Sequence, residues 1–326
     1  MLGARFLRKQ AKRLASQLEP VCRADHVEAV HQARVASRRL RAALEMFGEC
    51  FPIESTDRWK KEIKRVTRRL GPARDRDVNI LFLAEHLANL TDPAHTRGIA
   101  AMLGRLERDR ARSQPKAVKA VEQLWRSGVL DEMLDAAQAI CDRGKAKSVA
   151  VRSPVAVKRA EEFLAGRLDA VHAHADGLAD PTNVDEHHAM RIAAKKLRYT
   201  MEMVSPVFGS ALDSPLLAAK ELQTLLGEVH DCDVWDEHVD EFEQKLRRRT
   251  LKYFGTDKPF APLEAGLEHL RSLFRERRKD LFAQLCAFWA AHPLREVESL
   301  CGVDSLALTD STTRCQDGIP VCRESR

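Results

Sequence analysis

Apolar residues recur every three to four positions along nearly the whole chain, and strict apolar–polar alternation is almost absent. The pattern predicts an all-α protein. Helices are expected roughly over 4–18, 26–48, 57–70, 77–90, 97–113 and 116–142, and again over 155–175, 184–205, 215–227, 234–250 and 263–292. Breaks are expected at Phe51-Pro52, Thr91-Asp92-Pro93, Gln114-Pro115, Asp180-Pro181 and Asp257-Lys258-Pro259, with Gly71 and Gly227 read as helix ends. The segment from Asp142 to Pro154 reads as a linker between halves 1–145 and 150–293. After His292-Pro293 the periodicity lapses, so 294–326 is expected to be a poorly ordered tail.

The pattern also repeats. His31-Gln32-Ala33-Arg34-Val35-Ala36-Ser37-Arg38-Arg39-Leu40-Arg41 recurs 157 residues later as His188-Ala189-Met190-Arg191-Ile192-Ala193-Ala194-Lys195-Lys196-Leu197-Arg198, and Glu45 recurs as Glu202. Leu70-Gly71-Pro72-Ala73-Arg74-Asp75-Arg76-Asp77-Val78 recurs 156 residues later as Leu226-Gly227-Glu228-Val229-His230-Asp231-Cys232-Asp233-Val234. Two matched blocks in one order read as a tandem duplication.

At 100° per residue, His31, Arg34, Arg38 and Arg41 fall within an arc of about 80° on a helix. Ala36, Leu40, Leu44 and Phe47 lie opposite. His188, Arg191, Lys195 and Arg198 form the second such stripe, backed by Ala193, Leu197, Met201 and Val204. Each helix therefore separates a packing face from a cationic face. Arg5, Arg8 and Lys12, and then Lys61, Lys64 and Arg68, repeat the rhythm on two further helices of the first half, and Lys220 takes the place of Lys64 in the second. One such stripe alone reads as a solvated face. Solubility needs charge somewhere, not the same spacing twice with the same histidine, and this recurrence points to a polyanion ligand. Stacked like charges repel, and a polyanion neutralises them while releasing its counterions. Arg offers phosphate a bidentate fork, Lys a compact charge and His a titratable donor.

Composition sharpens the asymmetry. The chain carries a net charge of +6. Residues 1–150 hold 30 Lys and Arg against 19 Asp and Glu, and the remainder holds 24 against 29. No apolar stretch is long enough to span a membrane, and the start lacks the apolar core of a secretory signal. Cys22, Cys50, Cys141, Cys232 and Cys286 read as small buried hydrophobes of a reducing compartment, which places the protein in the cytoplasm. The tryptophans Trp59, Trp125, Trp235 and Trp289 are isolated and read as core anchors. Of the Asp75/Asp77 and Asp231/Asp233 pairs, the outer members are expected to cap the next helix and the inner ones to pair with nearby cations, in preference to a Mg²⁺ site. No cofactor or metal motif is present, and no catalytic residue is assigned.

The duplicated His-x-x-Arg-Val/Ile-x-x-Arg/Lys-Arg/Lys-Leu-Arg helix, each copy followed by Leu-Gly-x-x-x-Asp-x-Asp-Val, resembles the CHAD family, the conserved-histidine α-helical domain. The likeness extends over about residues 4–292 and includes Arg198-Tyr199 with Glu202 one turn on. It departs at Ala42, which stands where the second copy has Tyr199. The resemblance implies two four-helix-bundle-like halves related by a pseudo-twofold axis around a basic central surface. It also implies binding of inorganic polyphosphate, facing His31, Arg34, Arg38, Arg41, His188, Arg191, Lys195 and Arg198, and, in bacteria, association with polyphosphate granules; we read the binding as non-enzymatic. No Glu-x-Glu-x-Lys signature of the CYTH domain that often accompanies this family is found. A nucleic-acid binder, a Mg²⁺-dependent phosphotransferase or polyphosphatase, and a scaffold for an acidic protein stay open as alternatives.

Overall fold

In the computed structural model, residues 1–23, 27–147 and 150–301 are described, and they contain helices and no strand. The helices are α1 (Leu2–Arg23), α2 (Val27–Phe47), α3 (Ile53–Ala88), α4 (Pro93–Arg126) and α5 (Val129–Ala146), followed by α6 (Pro154–His172), α7 (Val184–Phe208), α8 (Asp213–Phe254), α9 (Ala261–Ala290) and α10 (Arg295–Leu300). Capping fixes several starts. Asp92, Ser153 and Asn183 each accept a hydrogen bond from a backbone N–H of the first turn, and Pro93 and Pro154 occupy the opening positions. Among the described residues no helix is long and apolar enough to cross a membrane.

The punctuation of the sequence is overridden at three places, and the tail departs as well. The helices expected over 57–70 and 77–90 are one, α3, which runs through Gly71 and Pro72. Those over 215–227 and 234–250 are likewise one, α8, running through Gly227. Gly71 and Gly227 are therefore not helix ends. In α3 the buried positions Leu70, Ala73 and Asp77 continue in helical register across the expected break, and packing outweighs local propensity. Pro115 sits inside α4 on its exposed side, and the chain turns instead at Ser127 and Gly128, where Gly128 takes a φ of 65°. Residues 295–300 of the expected tail form α10, in which Val297 is buried, as is Leu294 just before it, whereas 302–326, including Cys315 and Cys322, lie outside the described residues.

The chain divides into two compact units. Among the described residues, the first comprises those within 1–150 together with 238–272, and the second those within 151–237 together with 273–301. In the first, α1 packs against α2, α4 and α5, and α2 packs also against α3. Their core includes Leu7, Leu14, Leu40, Leu44, Trp59, Ile63, Val121 and Leu124, all fully buried. Phe51 meets Trp59 edge-on, with ring centroids 5.3 Å apart. Also within this unit, Gly98 of α4 meets Gly266 of α9. A Cβ on Gly98 would stand 2.2 Å from the Leu263 carbonyl oxygen, and one on Gly266 2.2 Å from that of His95. Only glycine permits so close a backbone approach.

In the second unit α6 packs on α7. Leu164, Leu168, Met190, Leu197, Met201, Leu222, Leu226 and Leu285 are buried there. His187 is buried as well, donating from Nε2 to the Gly177 carbonyl at 3.0 Å with its ring against Phe282. Two tryptophans depart from expectation, since Trp125 is 57% exposed and Trp289 is only half-buried, while Trp59 and Trp235 are core residues. Cys50 is exposed, unlike the buried Cys141 and Cys232.

Candidate functional site

In the first unit, α2 turns Ala33, Ala36, Leu40 and Leu44 into the core and leaves His31, Arg34 and Arg38 half-buried and Arg41 exposed. Arg34 lies across α3 at the mid-helix glycine. A Cβ on Gly71 would come 3.6 Å from the Arg34 Nη2, and Asp75 one turn on pairs with Arg34 at 3.4 Å. The Nε of Arg34 is buried without a hydrogen-bond partner, a cost that a purely solvated arginine does not incur. Burial, followed by the nearby Arg74 and Arg34 charges, holds the His31 pKa below its ordinary value, partly offset by Glu28.

The second unit repeats the arrangement with different chemistry. α7 buries Ala193, Ala194, Leu197 and Met201 and leaves His188, Arg191, Lys195 and Arg198 half-buried. A Cβ on Gly227 of α8 would stand 3.8 Å from the Arg191 Nε. His230 takes the position that Arg74 holds in the first block. Its Nδ1 lies 3.3 Å from the Nδ1 of His188, with ring centroids 4.4 Å apart. Burial and then the charges of Arg191, His188 and Lys195 push the His230 pKa down to about 4. His188 is lowered for similar reasons, burial first and then Arg191 and Lys195.

Arg198 differs from the rest of its stripe. Its Nε donates to Gln223 at 2.8 Å and its Nη1 to Glu202 at 2.5 Å, and the guanidinium lies 4.9 Å from the centroid of the buried Tyr199 ring. Of the flanking stripes, Arg5, Lys12, Lys61, Lys64, Arg68 and Lys220 are exposed, whereas Arg8 turns to Gln138 of α5. Arg74 and His230 are functional candidates that the stripe pattern alone did not name. The signal was there, since both occupy the third position after the glycine of the repeated block.

The Asp pairs have a structural explanation, and it is not capping. Asp77 is in mid-α3 and binds the Nε of Arg110 from α4; Asp233 is in mid-α8 and binds the Nε of Arg278 from α9. Asp77 is buried and Asp233 half-buried. The outer carboxylate of each pair is thus a long-range helix tie, and the inner Asp75 pairs with Arg34 as the sequence predicts. Among the described residues, no three His, Cys, Asp or Glu side chains are placed to hold a metal ion.

Residues 5–240 match the CHAD domain family. Two curated Mycobacterium tuberculosis proteins, the uncharacterized proteins MT2285 and Rv2226, are 28% identical over 229 residues, which is 67% of this chain and 41% of theirs. The chain thus spans less than half the length of these relatives. The structure of the CHAD domain from the plant Ricinus communis superposes with a TM-score of 0.61 at 19% identity, covering 93% of this chain and 91% of that one. PptA from Streptomyces chartreusis gives 0.58 at 19% identity, covering 88% and 98%. The chain belongs to the CHAD domain family.

Proposed function

We propose that this CHAD-domain protein binds inorganic polyphosphate without turning it over, and that it works in the cytoplasm at polyphosphate granules. The observation that carries the reading is the seat of Arg34 and Arg191. In each unit a helix with a largely apolar back presents a His/Arg/Lys face, and its first arginine crosses a glycine in the middle of the next helix. Phosphate oxygens match guanidinium forks and ammonium groups. The exposed Lys61, Lys64 and Arg68 supply further charge along a chain longer than one site. Binding without chemistry fits the Asp pairs, whose outer carboxylates are engaged by Arg110 and Arg278 and so are poorly placed to carry Mg²⁺.

The test is a polyphosphate titration across a salt series with competing nucleic acid. Log affinity should fall linearly with log salt, as counterion release requires. Polyphosphate should hold its place against DNA or RNA at equal phosphate concentration, because among the described residues no cluster of Phe, Tyr or Trp side chains lies on the cationic faces to stack bases. Displacement by nucleic acid would transfer the site to that ligand. Release of orthophosphate in the presence of Mg²⁺ would overturn the non-enzymatic half of the proposal.

A further inference from the structure

The end of the α8–α9 hairpin in the first unit carries a surface outside the faces assigned to polyphosphate. Leu251, Tyr253 and Phe254, in the last turn of α8, are 55%, 84% and 59% exposed. The two rings pack edge to face against each other with centroids 4.9 Å apart, while Phe260, a few residues on, is buried. Arg248, Arg249 and Lys252 are exposed in the same two turns. The acidic groups nearby are directed elsewhere: Asp257 and Glu264 both pair with Arg247, whose guanidinium also covers the Phe260 ring, and Glu241 pairs with Lys245. Gly255, with a φ of 70° and open space around it, ends the helix at this point.

Cations at a helix C-terminus offset its dipole, which accounts for the basic residues. It does not account for three adjacent exposed apolar side chains. Cations beside Leu, Tyr and Phe at a helix end match the headgroup layer of an anionic bilayer. There Arg and Lys meet lipid phosphates, aromatic rings sit at the interface, and an aliphatic side chain reaches the acyl boundary. Polyphosphate offers nothing to Leu251 or Phe254. Single-strand platforms present open ring faces, whereas these two rings pack on one another. We propose that this tip docks the protein peripherally onto an anionic membrane surface, independently of the His/Arg/Lys faces.

Co-sedimentation of the full chain with vesicles of phosphatidylcholine mixed with phosphatidylglycerol, against phosphatidylcholine alone, tests this. The parent should bind the anionic vesicles selectively. The variant Leu251→Ser/Tyr253→Ser/Phe254→Ser should lose on the order of tenfold in partitioning, and Arg248→Gln/Arg249→Gln/Lys252→Gln about a hundredfold. Both should keep parental helicity and polyphosphate affinity, because the replaced side chains are exposed and lie outside the faces assigned to polyphosphate. Failure of the parent to bind anionic vesicles would overturn the proposal, as would unchanged binding by either variant. Loss of polyphosphate affinity in either variant would assign the tip to the polyanion surface instead. Binding of single-stranded DNA through these residues without vesicle binding would assign it to nucleic acid.

Discussion

In the first unit Arg41 ends the cationic face of α2 in solvent, whereas Arg198, its match in α7, is held by Glu202, Gln223 and the Tyr199 ring. The same contrast runs through the second block. Arg74 is a permanent charge beside His31, and His230 at the matching position is a ring pressed against His188 and kept neutral by burial and by Arg191. One sequence pattern therefore sets an arginine beside the face histidine in one unit and a second histidine beside it in the other, and leaves the last arginine exposed in one and hydrogen-bonded in the other. Equal spacing does not mean equal available charge.

The contrast breaks first where the two units are alike. Asp77→Ala should strand Arg110, and Asp233→Ala should strand Arg278, each costing about 3 kcal/mol by the usual cost of unpairing a largely buried ion pair. Chemical denaturation checks this, and the more buried Asp77 should show the larger loss. If Mg²⁺ or EDTA shifted either transition, the carboxylates would be metal ligands after all. The next largest effect separates the units. Arg34→Ala/Arg38→Ala should weaken polyphosphate binding by about a hundredfold and Arg191→Ala/Lys195→Ala by about tenfold, each flattening the salt dependence in proportion to the lost phosphate contacts. Equal losses would remove the asymmetry.

A smaller effect concerns pH. His230 is neutral in the folded protein well below its ordinary 6.5, so folding opposes its protonation. The stability this provides is complete above about pH 6.5 and is lost as the pH falls toward 4. A bound polyanion favours the charged ring, so polyphosphate affinity should rise over the same interval. His230→Gln should flatten both profiles, and His31→Gln should change them less. The smallest effects belong to the mid-helix glycines. A Cβ at Gly71 or Gly227 meets its arginine at ordinary contact distance, so Ala at either position should leave stability unchanged or raise it by up to about 1 kcal/mol. Larger side chains should displace the arginine and lower polyphosphate affinity.

The helical class, the core faces of α2 and α7 and the cationic character of their opposite faces were all legible in the hydrophobic period. The boundaries in the glycine-containing blocks were not. Gly71-Pro72 carries a strong local stop signal, and what carries the helix through it is nonlocal: buried Leu70, Ala73 and Asp77, with Arg34 lying over the glycine. The same limit hid Arg110 and Arg278. Each stands 33 or 45 residues from the aspartate it binds, on a different helix, and periodicity within one helix says nothing about such partners. His230 was readable as a matched position but not as a contact of His188, which depends on how α7 and α8 pack. The tip at Leu251 to Phe254 was not legible because the helix was expected to end at 250, whereas α8 runs to Phe254, and only exposure marks these apolar residues out.

The central claim is that the paired cationic helix faces hold polyphosphate. Its most direct test is titration of long-chain polyphosphate, at fixed physiological salt, into the parent and into the quadruple variant Arg34→Ala/Arg38→Ala/Arg191→Ala/Lys195→Ala, with circular dichroism on both. Helicity should be unchanged, and binding should fall on the order of a thousandfold or more. A folded quadruple variant that binds as tightly as the parent would contradict it.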